Sequence, residues 1–188
     1  PDMLNSKVVI GRMDSTQTLT ISNTSGQDLL WSIPNIDPIL SAAQFHNLAL
    51  SSGQTVTGWG ITTGWKNYGQ SVIPKDLSHV VDVAVGDYHS LVLLEDGTVR
   101  AWGDNAHGQT RIPARVKNII AISAGEYHNL ALHDNGRVSA WGSNKFGNLD
   151  VPSGLNSVIA ISAGYYHNIA LHEDGTVTGW GSNDYGQL

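Results

Sequence analysis

A repeated motif constrains the fold of this chain more than any other feature. A histidine followed by a short apolar run recurs at steps of 43, 39 and 39 residues, at His46, His89, His128 and His167. A Trp-Gly pair follows each histidine 13 residues later, at Trp59, Trp102, Trp141 and Trp180. A fixed period in this range is typical of architectures in which each repeat packs on its neighbours. The chain is therefore predicted to contain four similar structural units.

The pattern inside one repeat predicts short β-strands. In the third copy, an apolar run at 116–124 precedes two segments, 129–133 and 137–142, in which apolar and polar residues alternate. Between these segments stands Asn135-Gly136, a pair that favours a tight hairpin turn. A second glycine-containing turn and a Val-Pro or Ile-Pro pair complete the repeat. About 39 residues with up to four short strands is the size of one β-propeller blade.

These patterns predict an all-β chain in two parts. Residues 36–188 are expected to form β-propeller blades, at about 36–74, 75–113, 114–152 and 153–188. Residues 1–35 are outside the repeat and are expected to form a short β segment, with strands at 7–11, 17–23 and 28–33. Thirty-five residues do not complete a β-sandwich, so this segment packs on the repeats, pairs with another chain or belongs to a larger domain.

Composition excludes several classes of function. The net charge is −6 with 10 basic residues, which argues against a nucleic-acid partner. The absence of cysteine excludes disulfides, thiolate metal sites and cysteine nucleophiles. No apolar run is long enough for a membrane-spanning helix. The chain begins at Pro1 without a leader and ends within a motif, so we expect a processed product or a piece of a longer protein.

The motif order carries a family resemblance. Gly-x-Tyr-His-Asn-Leu-Ala-Leu, then Asp-Gly-x-Val-x-Ala-Trp-Gly, then Asn-x-x-Gly-Gln resembles the regulator of chromosome condensation repeat, over about residues 36–188. The short repeat ending in Val-Pro or Ile-Pro is similar to bacterial members of the propeller-type β-lactamase inhibitory kind. Such propellers usually have more than four blades, so the resemblance implies an incomplete ring or a fragment. Residues 1–35 resemble part of an immunoglobulin-like domain of the kind found beside such repeats in bacterial surface proteins.

The repeated histidines and tryptophans are expected to be structural. A residue that occurs once per blade at a fixed place is typical of packing inside the blade, and a buried ring nitrogen needs a hydrogen-bond partner. Tryptophan supplies a large apolar surface between blades, and the glycine beside it allows close backbone approach. We therefore predict no metal site, no cofactor and no catalytic residue. The acidic pairs 95–96 and 173–174 fit turn chemistry better than paired catalytic carboxylates.

Departures from the repeat point to candidate binding residues. The loop after Trp59 is four residues longer than the loop after Trp102, and it carries Trp65, Lys66 and Tyr68. Exposed aromatic residues on such loops are typical binding anchors. The tips of the other loops follow the equivalent strand and are expected on the same face of the propeller, with His107, Lys145, Phe146, Asp184 and Tyr185. The alternative is that these side chains cap the neighbouring blades.

Three functional hypotheses follow. The first is a non-catalytic interaction module that binds protein or glycan through its blade-tip loops, in a bacterial extracellular or surface protein. The second is a structural protein that assembles with itself into an oligomer or fibre, because the exposed edges of an open propeller recruit other strands. The third, a regulator of a small GTPase, is implied by the family resemblance alone.

Overall fold

The repeats fold into twelve short strands. The structure is a computed structural model that describes residues 39–51 and 54–188, within a compact unit spanning Pro34–Leu188. Every regular element in the described part is a strand, which confirms the all-β prediction. The predicted strands at 7–11, 17–23 and 28–33, and the predicted boundary at residue 35, lie outside the described residues. The strands are β1 (Ile39–Ala42), β2 (His46–Leu50), β3 (Val56–Gly60), β4 (Val80–Val85), β5 (His89–Leu94), β6 (Val99–Gly103), β7 (Ile119–Ala124), β8 (His128–His133), β9 (Val138–Gly142), β10 (Val158–Ala163), β11 (His167–His172) and β12 (Val177–Gly181).

Each repeat forms one antiparallel sheet of three consecutive strands. The sheets have the orders β1-β2-β3, β4-β5-β6, β7-β8-β9 and β10-β11-β12. In the third sheet, His128 pairs with Gly142 and Asn129 pairs with Trp141. The equivalent histidine and glycine pair in the other three sheets. The repeated motif therefore fixes the same register in every blade.

The sequence suggested up to four strands in a blade, whereas the described residues form three. After β6, the chain turns through successive main-chain hydrogen bonds, from Gly108 to Asn105, from Arg111 to Gly108 and from Val116 to Pro113. These short-range bonds engage the backbone groups that a fourth strand would need for its ladder. Pro113 also has no N–H to donate, so turns replace the additional strand.

The hairpin turns connect each blade to the next one. Gly136 has φ of 73°, a conformation that costs glycine little, and its N–H donates to the carbonyl of His133 at 3.0 Å. The carbonyl of Gly136 then accepts a hydrogen bond from Val158 N–H, at the start of the following sheet. Gly97 makes the equivalent bond to Ile119. The turn thus closes one sheet and sets the position of the next.

The core lies between neighbouring sheets. Leu48 and Leu50 of β2 pack with Val83 and Val85 of β4, and two similar apolar clusters fill the second and third interfaces. The sheets contact one another in chain order, first to second, second to third and third to fourth. Burying one leucine fully contributes about 2 kcal/mol, so the stability of each blade depends on its neighbours.

No helix in residues 39–51 and 54–188 is long and apolar enough to cross a membrane.

Candidate functional site

Aromatic side chains gather at one end of the four sheets. In a meander of three strands, the loop after the first strand and the loop after the third lie at the same end. The turn before each repeated histidine carries an aromatic ring. We call these four rings the inner row, and they are Phe45, Tyr88, Tyr127 and Tyr166.

The inner row is partly stacked. The ring centroids of Tyr88 and Tyr127 lie 5.2 Å apart with an interplanar angle of 10°, and those of Phe45 and Tyr88 lie 5.0 Å apart. Stacked aromatic pairs contribute about 0.5–1.5 kcal/mol beyond the area that they bury. The first three blades therefore present a continuous layer of aromatic rings.

A second set of side chains comes from the loops after the third strands. This outer row consists of Tyr68, His107, Phe146 and Tyr185. Three of its members contact the inner-row ring of the following blade: Tyr68 meets Tyr88 at 5.9 Å, His107 meets Tyr127 at 4.9 Å, and Phe146 meets Tyr166 at 4.1 Å. Tyr185 of the last blade is 95% exposed. The two rows together are called the aromatic face below.

The long first loop adds an anchor and a cation to this face. The Nζ of Lys66 lies 4.3 Å from the ring centroid of Phe45 and 4.6 Å from that of Trp65. A cation over aromatic rings is favourable, so Lys66 is already engaged within the chain. Trp65 is 82% exposed. Although Lys66 lies over one part of its ring, Trp65 offers a partner the larger exposed surface of the two.

Two carboxylates lie beneath the aromatic face. Asp87 and Glu126 are each 6% exposed, and the hydroxyl of Tyr165 donates to Oε1 of Glu126 at 2.8 Å. Burial raises the pKa of the Asp87 carboxyl, and the nearby Glu126 charge adds to this effect. Burial and the Glu126 carboxylate also raise the pKa of the Tyr165 phenol. Tyr165 therefore stays a hydrogen-bond donor at neutral pH, and its ring remains 49% exposed.

A small cavity opens between the third and fourth blades at this end. Its volume is about 140 Å³, and its lining includes His107, Glu126, Lys145, Phe146 and Tyr166. The lining combines aromatic rings with a carboxylate and an ammonium group. Such a mixture can accept one side chain of a partner and fix its orientation.

The structure brings most of the predicted binding residues together. Tyr68, His107 and Phe146 line one surface, and each also packs on the next blade. The sequence offered a binding surface and blade caps as alternatives, and the positions of these three residues are compatible with both. Lys145 lies over the ring of Phe146, and Asp184 accepts a hydrogen bond from Ser182. Sequence reasoning did not select the inner row or Tyr165, because it considered only the histidine and the tryptophan of each repeated motif and the loops that depart from the repeat. One feature of the sequence could have identified them: the position two residues before each repeated histidine differs from blade to blade, and it holds Gln44, Asp87, Glu126 and Tyr165.

The repeated histidines connect neighbouring blades. Nε2 of His89 lies 2.6 Å from Oδ1 of Asn129, and Nε2 of His128 lies 2.7 Å from Oδ1 of Asn168. Each asparagine donates its amide to a main-chain carbonyl of the preceding blade, Gln109 for Asn129 and Asn148 for Asn168. The amide oxygen therefore accepts, and the histidine donates from Nε2.

The same carbonyls also accept from tryptophan. Trp102, Trp141 and Trp180 donate their indole N–H groups to the carbonyls of Gln70, Gln109 and Asn148 at 2.9–3.0 Å. In the first interface, Ser90 takes the place of asparagine between His46 and Gln70. The repeated polar residues thus form one network at every interface between blades.

Burial lowers the pKa of His46 and His89 to about 4, and it also lowers the pKa of His128. The second ring nitrogen explains this direction, because Nδ1 of His46 and Nδ1 of His89 are buried without an acceptor for a second proton. These rings are neutral donors at physiological pH. Within residues 39–51 and 54–188, no group of three or more His, Asp or Glu side chains has a geometry that could hold a metal ion.

A family profile described as "Regulator of chromosome condensation (RCC1) repeat" matches residues 80–109, 119–148 and 158–187. Each match begins at the first strand of a sheet and ends at the outer-row turn. These three segments are RCC1 repeats. The predicted family resemblance is confirmed, and the first sheet has the same strand order and register as the three matched RCC1 repeats. The closer likeness to bacterial β-lactamase inhibitory proteins stays a prediction.

Solved propellers confirm the fold. Prp20p from Saccharomyces cerevisiae is 24% identical with a TM-score of 0.65, over 78% of this chain and 43% of that one. Human WBSCR16 is 22% identical with a TM-score of 0.62, over 77% and 47%. The ectodomain of the Physcomitrella patens receptor kinase CR4 is 24% identical with a TM-score of 0.63, over 76% and 38%. This chain spans less than half the length of each of these proteins. No curated protein matches the sequence significantly.

Proposed function

We propose that the chain is a non-catalytic protein-binding module and that its partner contacts the aromatic face. The observation that carries the proposal is the set of aromatic rings at one end of the four sheets: a continuous row over the first three blades and Phe146 against Tyr166 of the fourth, with Trp65 82% exposed beside it. Tryptophan and tyrosine are enriched among the residues that dominate the affinity of protein interfaces.

The contacts that hold the side chains of the aromatic face in place favour a binding role over a purely structural one. Each outer-row ring except Tyr185 is held against an inner-row ring, so little side-chain entropy is lost when a partner docks. Trp65 and Tyr165 project from this fixed layer as exposed anchors. The cavity beside Glu126 and Phe146 then provides a pocket for one side chain of the partner.

The structural relatives support a protein partner. Prp20p is described with binding to Gsp1p and histones, and yeast RCC1 (Prp20) is described bound to Kap60. These partners belong to the yeast protein, and its low identity to this chain carries over the fold alone. We extend to this chain only the general role of such a scaffold, which is to bind other proteins.

The experiment compares the wild type with two double variants. Trp65→Ala with Lys145→Ala removes exposed side chains from the aromatic face, whereas Glu95→Ala with Glu173→Ala changes hairpin turns at the opposite end of the sheets. Proteins captured by cross-linking from an extract of the source organism are then titrated directly. We expect the first variant to lose about tenfold or more in affinity, and the second to bind like the wild type.

Equal binding by both variants, with unchanged melting temperatures, would contradict the proposal. Binding to a glycan array with no protein ligand would favour the glycan alternative. A bacterial extracellular or surface location stays a prediction, which fractionation of the source cells would test. Regulation of a small GTPase and self-assembly into an oligomer or fibre both stay predictions.

A further inference from the structure

Three basic residues of the third blade depart from the repeat. Arg115 and Lys117 precede its first strand, and Arg137 follows its hairpin turn. Both neighbouring blades form the same three-stranded sheet without a basic residue at these positions, so the fold does not require the three charges. The equivalent residues are Asp76, Ser78 and Thr98 in the second blade and Gly154, Asn156 and Thr176 in the fourth.

The three basic side chains surround an open cavity, which we call the basic groove. Its volume is about 550 Å³, and ligand sites in proteins typically measure about 300–1,000 Å³. Arg115 and Arg137 line the groove. Lys117 adjoins it, because the main-chain carbonyl of Lys117 accepts a hydrogen bond at 2.8 Å from Nδ1 of His133, another lining residue. All three basic side chains are exposed, so the groove has a positively charged rim.

The floor of the basic groove follows the edge of the sheet. His133 N–H donates to the carbonyl of Arg137 at 2.9 Å, and hydrogen-bonded pairs alternate along an antiparallel ladder, so the main-chain groups of Ala140 point away from β8. The Ala140 carbonyl accepts a hydrogen bond from Nη2 of Arg115 at 2.8 Å, which holds this guanidinium at the groove and leaves it other N–H donors. The apolar residues of the floor are Val138, Ala140, Leu149 and Val151.

The positive charge of the rim is not neutralised by the described part of the chain. The one ion pair within residues 39–51 and 54–188 joins Arg100 to Asp76 in the second blade. Asp134 and Asp150 are near the rim in sequence, but neither lines the groove. The carboxylate of Asp150 accepts a hydrogen bond from Asn144 instead. On a chain with a net charge of −6, this groove is a local basic exception.

We propose that the basic groove binds an extended acidic segment of a protein partner. Carboxylates of the segment pair with Arg115, Lys117 and Arg137, and charge-assisted hydrogen bonds of this kind are among the stronger polar contacts. Successive side chains of an extended chain point to opposite sides. A segment that alternates acidic and apolar residues therefore presents carboxylates to the rim and apolar side chains to Val138 and Val151. The groove is separate from the aromatic face, and this inference does not rest on the proposed function.

The lining of the groove favours a peptide over a nucleic acid or a sulfated glycan. Polyanions of these kinds are held by longer rows of basic residues, and single-stranded nucleic acids also stack their bases on aromatic rings. The rim has three basic residues, and no phenylalanine, tyrosine or tryptophan is among the described residues that line the groove. The apolar floor gives a peptide side chain a surface to bury.

Fluorescence anisotropy with a synthetic peptide tests the proposal. The probe is a short labelled peptide in which glutamate alternates with valine, and the control probe has glutamine in place of every glutamate. The wild type should bind the acidic probe saturably, with an affinity that falls as the salt concentration rises. It should bind the glutamine probe about tenfold more weakly or less, because the carboxylates supply the contacts to the rim.

The variants use residues that the repeat itself tolerates. Lys117→Asn and Arg137→Thr introduce the residues of the fourth blade, and Arg115→Gln keeps an amide donor for the Ala140 carbonyl. The triple variant should melt near the wild-type temperature and bind the acidic probe about tenfold more weakly. Arg137→Thr alone should weaken binding about threefold, and this exposed single change keeps the test decisive if the triple variant does not fold. Its matched control, Lys75→Asn, also removes one exposed charge but should bind like the wild type.

Trp65→Ala separates the basic groove from the aromatic face. This variant should bind the acidic probe like the wild type, and a loss as large as that of the triple variant would place the peptide on the aromatic face and overturn the proposal. No saturable binding by the wild type, equal affinities for the two probes, or wild-type affinity in a folded triple variant would also overturn it. So would equal losses in Lys75→Asn and Arg137→Thr.

Heparin and a single-stranded oligonucleotide serve as competitors of the acidic probe. Under the proposal, both should compete more weakly than the unlabelled acidic peptide. Tighter binding of either one, lost in the triple variant, would show that the groove is a site for a polyanion and would overturn the assignment of a peptide.

Discussion

Nε2 of His89 donates to Oδ1 of Asn129, forty residues further along the chain in the next blade, over a distance of 2.6 Å. Both side chains are completely buried. The side-chain amide of Asn129 donates a hydrogen bond to the main-chain carbonyl of Gln109. The same carbonyl also accepts a hydrogen bond from the indole N–H of Trp141. This pair explains why the histidine repeats once per blade, because each ring orients the amide that holds the following sheet.

The first prediction concerns Asn129. Asn129→Ala leaves the His89 N–H without its acceptor and removes one donor from the Gln109 carbonyl, so the free energy of unfolding should fall by about 2–4 kcal/mol. Asn129→Ser should cost less, because Ser90 bridges His46 and Gln70 from the same position. Urea denaturation measures both variants. Equal losses for alanine and serine would show that the hydrogen bonds contribute little.

The second prediction compares two tryptophans at the same repeat position. Trp141 is 3% exposed and donates to Gln109, so Trp141→Ala should lower the free energy of unfolding by about 3–5 kcal/mol. Trp59 is 48% exposed, so Trp59→Ala should cost about 1 kcal/mol or less. Chemical denaturation followed by circular dichroism at high dilution tests the pair. Similar losses at the two sites would contradict the assigned burial.

The third prediction concerns pH. Burial lowers the folded-state pKa of His46 and His89 from 6.5 to about 4, so the unfolded chain binds more protons between these values. Stability is therefore fully present above pH 6.5 and decreases as the pH falls toward 4, by about 1.4 kcal/mol per pH unit for each histidine. The raised pKa of Asp87 acts in the opposite direction, since its protonation favours the folded state at low pH.

Melting curves between pH 7 and pH 5 measure this dependence. His89→Gln keeps a donor for Asn129 but removes the titrating ring, so its stability should decrease less steeply with falling pH than that of the wild type. If the two slopes were the same, the titration of His89 would not be linked to folding.

Much of the fold follows from the spacing of short motifs. Asn135-Gly136 predicts the hairpin of the third blade, and the structure has this turn with φ of 73° at Gly136. The apolar run at 116–124 predicts the strand Ile119–Ala124. The number of strands in a blade was less predictable. Local hydrogen bonds in the turns after β6 engage the backbone groups that a fourth strand would need, and proline at 113 has no N–H to donate.

The candidate site was predictable only in part. The unusual length of the first loop identified Trp65, since an insertion is visible in the sequence. The inner row was missed, because the tyrosine of a repeated motif has the same sequence signature whether its ring faces the core or stacks with its neighbours at the surface. Stacking of Tyr88 on Tyr127 depends on how two blades pack, which the sequence of one repeat does not state.

The sequence by itself determined the repeat, its all-β character and its strand register, because these depend on local turn chemistry and on alternation within about 39 residues. Tertiary structure alone decided which equivalent residues have equivalent roles. Trp59 and Trp141 stand at the same place in the motif, yet one is 48% exposed and the other 3%. The physical reason is that burial in a propeller arises at the interface between two blades: Trp141 packs against the second blade, whereas no blade precedes that of Trp59 within the residues that the structure describes.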